Sequence, residues 1–291
     1  MTNPPKIRRK MRAEAAFQAI ARQCVDRYRR QLPGLRQNWD VEAVHQARVG
    51  LRQLVAAFAL FKPMIRNAAF PALRDRVREV TRILGEARNL DVLLEAARQP
   101  DLPALRRKVS VMREHSYANV VGKLENEKNR TLAEDLLDWV EHGAWHTRRK
   151  DLRHESLRGF TGRRLDRIWR KFRKRSRHVE TLAARPRHKV RITAKKLRYE
   201  LEFIAPLAKG GKARARRDRM VATLRRMQDA LGSLNDLRTQ GQMAPDLARG
   251  SRSIAFAAGR LLGAGETRAK PLLRQAAKAQ RKLRKQKPFW N

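Results

Sequence analysis

Apolar residues recur along this 291-residue chain at three- and four-residue intervals, the signature of one buried helix face. Alternating β-branched runs of strand length are scarce. Val44, Leu51, Leu54, Phe58 and Phe61 gather on one side of a single predicted helix. Leu73, Val77, Val80 and Leu84 do the same on the next one. Breakers punctuate the pattern at "LPGL" (32–35), Pro63, Pro71, "QPDLP" (99–103), Pro186, "KGGK" (209–212), Pro245 and Pro271. Asp40 is placed to cap a helix and Pro186 to sit early in one. The pattern predicts an all-α protein of at least seven helices, roughly ten to forty residues long, antiparallel to their neighbours because the connections are short.

The chain repeats itself. "HQARVGLRQLVAAFALFKP" (45–63) aligns with "HKVRITAKKLRYELEFIAP" (188–206), His45 on His188, Arg48 on Arg191, Arg52 on Lys195 and Pro63 on Pro206, at a constant offset (188 − 45 = 143). "LRDRVREVTRILGEARNLDVLL" (73–94) answers "MVATLRRMQDALGSLNDLRT" (220–239), with Leu84-Gly85 over Leu231-Gly232 and Arg88-Asn89 over Asn235-Asp236. Two similar helical halves, about 8–145 and 146–285, are expected to pack as a single domain over 1–291, with a basic, frayed tail from about 278 to 291.

Beside each apolar stripe runs a cationic one. His45, Arg48 and Arg52 lie within about 60° of one another on their helix. In the second copy Val190, Ala194, Leu197, Leu201 and Ile204 make the apolar side, and His188, Arg191, Lys195 and Arg198 the cationic side, with Tyr199 at its edge. Arg74, Arg78 and Arg82 follow at i, i+4 and i+8, and Arg225 and Arg226 occupy the matching region of the second half. A row of Lys and Arg on a helix is ordinarily a solvated face. Here the row occurs twice in register, and few acidic residues sit at i+4 to neutralise it. With 69 Lys and Arg against 28 Asp and Glu, the formal charge is +41, which attracts polyanions strongly. Nucleic acid, anionic membrane and inorganic phosphate polymers are the candidates. A 42% hydrophobic fraction supplies a real core. One cysteine, Cys24, excludes an internal disulfide framework and suits a reducing cytosol. No run reaches the ~20 apolar residues that span a bilayer, and no signal-like apolar stretch follows the basic N-terminus, so a soluble intracellular protein is expected.

"VHQARVGLRQL", "LGEARNLDVLL", "HKVRITAKKLRYELE" and "MQDALGSLNDL", in this order and spacing, resemble the paired signature blocks of the CHAD family, the α-helical domain named for its histidines. The resemblance spans roughly residues 8–285. It implies two four-helix bundles related by pseudo-twofold symmetry around a basic central cavity. It also implies binding of inorganic polyphosphate and, in bacteria, association with polyphosphate granules in the cytoplasm. Carried onto this chain, His45, Arg48, Arg52, His188, Arg191, Lys195, Lys196 and Arg198 match the basic positions of the helical signatures. Arg88 and Asp91 match the "RDxD" block, and Asn235 and Asp236 its second copy. The first block usually reads Arg-Asp. Here it is Arg88-Asn89, which removes a negative charge that could pair with a cavity arginine.

A phosphate chain offers only charge, oxygen acceptors and shape. Arg answers with a planar fork of donors, Lys with a compact charge and protonated His with a further donor. Aromatic residues are only 6% of the chain, so platforms for stacking single-stranded bases are few; nucleic-acid binding through the same faces remains the alternative. Hydrolysis or transfer would call for carboxylates holding Mg²⁺, and no acidic constellation lies on the basic faces, so neither catalysis nor a cofactor is expected. His142 and His146 in "HGAWH" have an i, i+4 metal-like spacing but lack the internal Glu of the zinc-protease motif, and are assigned to surface or turn. "KGGKAR" and "GAGETRAK" do not fit the P-loop pattern. "LAEDLLDWVE" (132–141) is expected to be an amphipathic helix. Surrounded by cations, His45 and His188 should resist protonation until phosphate arrives.

Overall fold

The computed structural model describes residues 7–37, 39–99, 101–249 and 251–290. Among them the fold is all-α, as the periodicity predicts. The helices are α1 (Ala13–Arg29), α2 (Leu32–Gln37), α3 (Val41–Ile65), α4 (Phe70–Ala96), α5 (Pro103–Glu125), α6 (Glu127–Arg130), α7 (Leu132–His142), α8 (Lys150–Arg153), α9 (Leu157–Arg175), α10 (Ala184–Phe203), α11 (Gly210–Ala248) and α12 (Arg252–Lys285). The first signature block is α3. It starts where the Asp40 carboxylate accepts the Glu42 backbone N–H at 2.8 Å, and all five residues of its predicted apolar face are buried. Pro63 falls in its last turn. Pro71 and Pro186 sit in the first turns of α4 and α10, where a missing N–H costs little. The acidic segment 132–141 lies in α7, whose Asp135 and Glu141 pair with Arg76 and Arg22.

Three expected breaks are absent. "LPGL" lies inside α2 rather than in an open turn, and Pro245 and Pro271 lie inside α11 and α12. Proline removes one backbone hydrogen bond. In α11 and α12 the two helices pack against each other along their length, and that lateral packing carries each one past its proline. The expected frayed tail is also absent among the described residues. Ala276, Ala277, Ala279, Gln280 and Leu283 bury one face of α12 up to its end, and Phe289 and Trp290 beyond it are buried too. Trp290 Nε1 donates to Asp166 Oδ1 at 3.0 Å. Charge counting along 278–291 hid a period-3.6 apolar stripe of small residues.

Packing follows the same succession twice: α1 on α3, α3 on α4 and α4 on α5, then α9 on α10, α10 on α11 and α11 on α12. The two signature helices α3 and α10 pack on each other. Most buried apolar residues form one cluster, with Phe17, Phe58, Phe61, Phe70, Trp139 and Trp145 in edge and stacked contact at its centre. A smaller cluster stands apart, where Leu90, Leu93, Ala97, Leu102, Leu105 and Val109 of the α4–α5 hairpin meet Leu247 and Ala257 of the α11–α12 hairpin. On α4 the two clusters are represented by Leu84 and Leu90, with Arg88 between them. On α11 they are represented by Leu234 and Leu247, with Asn235 and Asp236 between.

The α1–α3 crossing is set by Gly50. A Cβ there would lie 2.9 Å from the Cys24 carbonyl oxygen and 3.2 Å from the Tyr28 nitrogen, both backbone atoms that cannot swing aside. Gly50→Ala is expected to destabilise the protein by about 1–3 kcal/mol. Gly122→Ala in α5, where nothing lies within 4 Å of the new Cβ, is expected to stabilise it by about 0.5–1 kcal/mol. Urea unfolding of the two variants checks the pair of signs.

Candidate functional site

The two predicted cationic stripes meet where α3 packs on α10. Arg48, Arg52, Arg191 and Lys195 are all half-buried there. Each is held by its own helix and some by a neighbour. The Arg48 Nη1 donates to the carbonyls of Leu84 at 3.2 Å and Gly85 at 2.9 Å on α4. Arg52 Nη2 donates to the hydroxyl of Tyr199 on α10 at 3.2 Å. Arg198, beside them, lies over the Tyr199 ring at 4.4 Å. It donates to Gln228 Oε1 at 2.9 Å and Glu202 Oε1 at 2.7 Å.

These groups raise one another's cost of being charged. Burial lowers the Arg48 pKa to about 10, helped by Arg52, Arg88 and Arg191. Burial, then Arg52, Arg191, Arg48 and Arg198, lowers Lys195 to about 6. Arg191 is lowered by burial and by Arg52, with Asp236 opposing. Among the described residues, none of Arg48, Arg52, Arg191 and Lys195 makes an ion pair. Asp236 is the carboxylate whose charge reaches Arg48, Arg191 and Lys195, and burial raises its own pKa. The Nε atoms of Arg52 and Arg191 are buried without a hydrogen-bond partner. Buried charges are ordinarily paired, because an unpaired one loses its hydration with nothing in return. This cluster therefore has the chemistry of a receptor for a multiply charged anion.

The two histidines are not equivalent. The pKa of His45 is lowered by burial first and then by Arg88, with Arg52 and Arg48 adding to the effect. His188 Nδ1 is hydrogen-bonded to Asn235 Oδ1 at 2.9 Å. Because Arg88 aligns with Asn235, the neighbour of one histidine is a cation and that of the other a neutral amide. Asp236, at the position aligned with Asn89, supplies the second half with the negative charge that the first half lacks.

The remaining predicted residues are spread outward. Arg74 and Arg78 both reach Asp75, at 3.0 and 3.2 Å, and Arg82 reaches Glu86 at 2.6 Å. Arg225 pairs with Glu202 at 2.9 Å, and Arg226 is exposed. Lys196 lies off the cluster, toward Glu200; burial lowers its pKa, and Glu200 opposes that shift while Arg78 and Lys171 add to it. Asp91 takes Arg113 at 2.8 Å and the Tyr117 hydroxyl at 3.0 Å, tying α4 to α5, with Arg88 more distant at 3.8 Å. Asn89 is exposed. Two contributors went unpredicted. Gln228 donates to the Ala194 carbonyl at 2.9 Å while accepting from Arg198. Arg27 of α1 donates to Gln53 at 3.0 Å, and the charges of Tyr199 and Glu202 reach it. A buried glutamine on an apolar helix face was the available signal for the first. The i, i+4 histidines serve separately: His146 bonds Glu14 at 2.8 Å and the Val140 carbonyl at 3.1 Å, and His142 lies 3.3 Å from Asp138.

No described helix is long and apolar enough to cross a membrane. The CHAD domain profile matches residues 19–245. No curated protein matches the chain. Among solved structures, the crystal structure of the CHAD domain from the plant Ricinus communis is similar, with a TM-score of 0.85 at 25% identity over 98% of this chain and 97% of that one. PptA from Streptomyces chartreusis shares the fold, with a TM-score of 0.63 at 15% identity, covering 93% of this chain and 100% of that one. Nearly the whole length is thus accounted for by one helical architecture, and the chain belongs to the CHAD family.

Proposed function

We propose that this protein binds inorganic polyphosphate without transforming it, in a basic trough between α3 and α10. Four long helices in each half, α1, α3, α4 and α5 within about 8–145 and α9 to α12 within about 146–285, are related by a pseudo-twofold axis through that trough, and polyphosphate granules in the cytoplasm are its place of work. The observation that carries this reading is the group of four half-buried basic side chains, Arg48, Arg52, Arg191 and Lys195, that have no ion-pair partner among the described residues. Their donors converge from two helices, as a linear anion requires and as a solvated face does not.

A ligand without bases fits better than nucleic acid. The large rings lie in the core, around Phe17, Trp139 and Trp145, and the strongly exposed Phe256 belongs to α12 rather than to the α3–α10 cluster. The Tyr199 ring beside the trough is buried and covered by Arg198, so among the described residues it offers no open face for a base. The carboxylate that reaches Arg48, Arg191 and Lys195 by charge is Asp236, and one acid is a poor cradle for the metal ions that phosphoryl transfer uses.

Arg191→Gln with Lys195→Gln is the test of the trough, because neither side chain bonds another element, whereas Arg48 caps carbonyls of α4. The double variant is expected to keep its helical circular dichroism and to weaken polyphosphate binding sharply. Its plot of log K against log salt becomes shallower by about 1.4, taking ~0.7 per lost contact as for single-stranded polyanions. Unchanged affinity would remove the trough from the ligand's path. Long polyphosphate that fails to displace RNA at equal phosphate concentration would favour the nucleic-acid reading.

Binding is also expected to depend on pH. In the free protein Lys195 is charged below about 6 and neutral above it. A polyanion favours the charged form, so binding above pH 6 takes up a proton and affinity falls as pH rises, by up to about tenfold per unit from this one group. His45, lowered in the same sense, adds to the trend. Calorimetry at pH 6 and pH 8 on the parent and on Lys195→Gln checks it; equal slopes in both proteins would assign the effect elsewhere.

A further inference from the structure

A second concave basic surface shares no residue with the trough. Where the end of α12 comes beside Arg173 of α9, a cleft of about 520 Å³ is lined by Arg173, Lys278, Arg281, Lys282, Arg284 and Lys285. All six are exposed. Arg281 pairs with the exposed Glu180 at 3.7 Å, and among the described residues the other five make no ion pair. Lys278, Arg281, Lys282 and Lys285 follow i, i+3, i+4 and i+7 along one face of α12, a row of about 10 Å at 1.5 Å per residue.

Two ordinary explanations fall short. The last turn of a helix attracts cations through its free carbonyls, but that end amounts to only about half a charge. A solvated face mixes signs, whereas this cleft is lined by cations alone. The protein also works against repulsion to build it. Phe289 and Trp290 are buried beyond the end of α12. Trp290 donates to Asp166 of α9 at 3.0 Å and sets its ring edge-on to Trp169, with centroids 6.4 Å apart. Gln286 donates to Thr223 of α11 at 3.2 Å. These contacts pin one cationic helix beside another that would otherwise push it away.

We propose that the α9–α12 cleft is a second polyphosphate site, so that each protein molecule grips a long chain at two separate places. The choice of ligand rests on the function proposed for the trough. The cleft presents a row of donors and no exposed ring, which suits another segment of the same baseless polymer. A chain longer than one site bridges two protein molecules, one through its trough and the other through its cleft, and so draws protein and polymer into a condensed phase.

The test compares the parent with a cleft variant (Lys278→Gln, Arg281→Gln, Lys282→Gln, Lys285→Gln) and with the trough variant Arg191→Gln, Lys195→Gln. Short polyphosphate is titrated at pH 6 and pH 8, and light scattering is followed with long polyphosphate. The parent should show two classes of site, one pH-dependent and one not. The cleft variant should lose the pH-independent class and the scattering while keeping the other class; the trough variant should do the reverse for the two classes. Circular dichroism establishes that each variant is folded. A cleft variant that keeps the parent's stoichiometry and scattering overturns the second site and leaves the trough standing. A trough variant that binds as the parent does, beside a cleft variant that has lost binding, overturns the trough and upholds the cleft.

Discussion

Like charges brought together and partly dried shape this molecule more than any single attractive contact does. Arg48, Arg52, Arg191 and Lys195 would separate if their helices were free to turn. They are kept in place by the apolar stripes of α3 and α10, whose residues are buried, and, for Arg48 and Arg52, by fixed partners that carry no charge: two carbonyls of α4 and the Tyr199 hydroxyl. Neutral acceptors orient a guanidinium without cancelling it, so the field it projects stays available. Lys195 absorbs the remaining strain by giving up its proton near pH 6. Glu200, the fully buried acid of α10, does not relieve the cluster. It is pushed up to about 8 by burial, and the cations that oppose this are Lys196 and Arg164, which lie off the cluster.

Division of the apolar interior follows from the same constraint. A single continuous core would run through the positions that Arg88, Asn235 and Asp236 occupy between the two clusters. Polar residues there leave the α4–α5 and α11–α12 hairpins to be held by their own small apolar contact, reinforced by the pair between Arg260 and Asp101. The fold thus gives up part of its apolar burial to keep a polar zone open.

Much of this is written in the sequence. Periodicity identifies α3, α4 and α10 and the side that each one buries, and the repeat identifies which cations share a register. Periodicity gives neighbours on one helix, however, and not what stands opposite. That Arg88 faces His45 while Asn235 faces His188 depends on how α4 and α11 cross their partners, so aligned blocks alone present the histidines as a matched pair. The pairs of Arg78 with Asp75 and Arg82 with Glu86 are local, at i+3 and i+4, and were legible, though a repeated cationic spacing gives no weight to the acids beside it. Proline rules fail at Pro245 and Pro271 because long-range packing of α11 on α12 outweighs a local preference, and the end of α12 is masked by its charge.

The hydroxyl of Tyr199 belongs to the second repeat and accepts its hydrogen bond from Arg52 of the first. Two identical copies facing each other would form this bond twice, once in each direction. Here Lys195 aligns with Arg52, but Ala56 stands where Tyr199 aligns, so the return bond has no acceptor. The seam between the repeats is therefore one-sided in this bond, given by the first copy and received by the second.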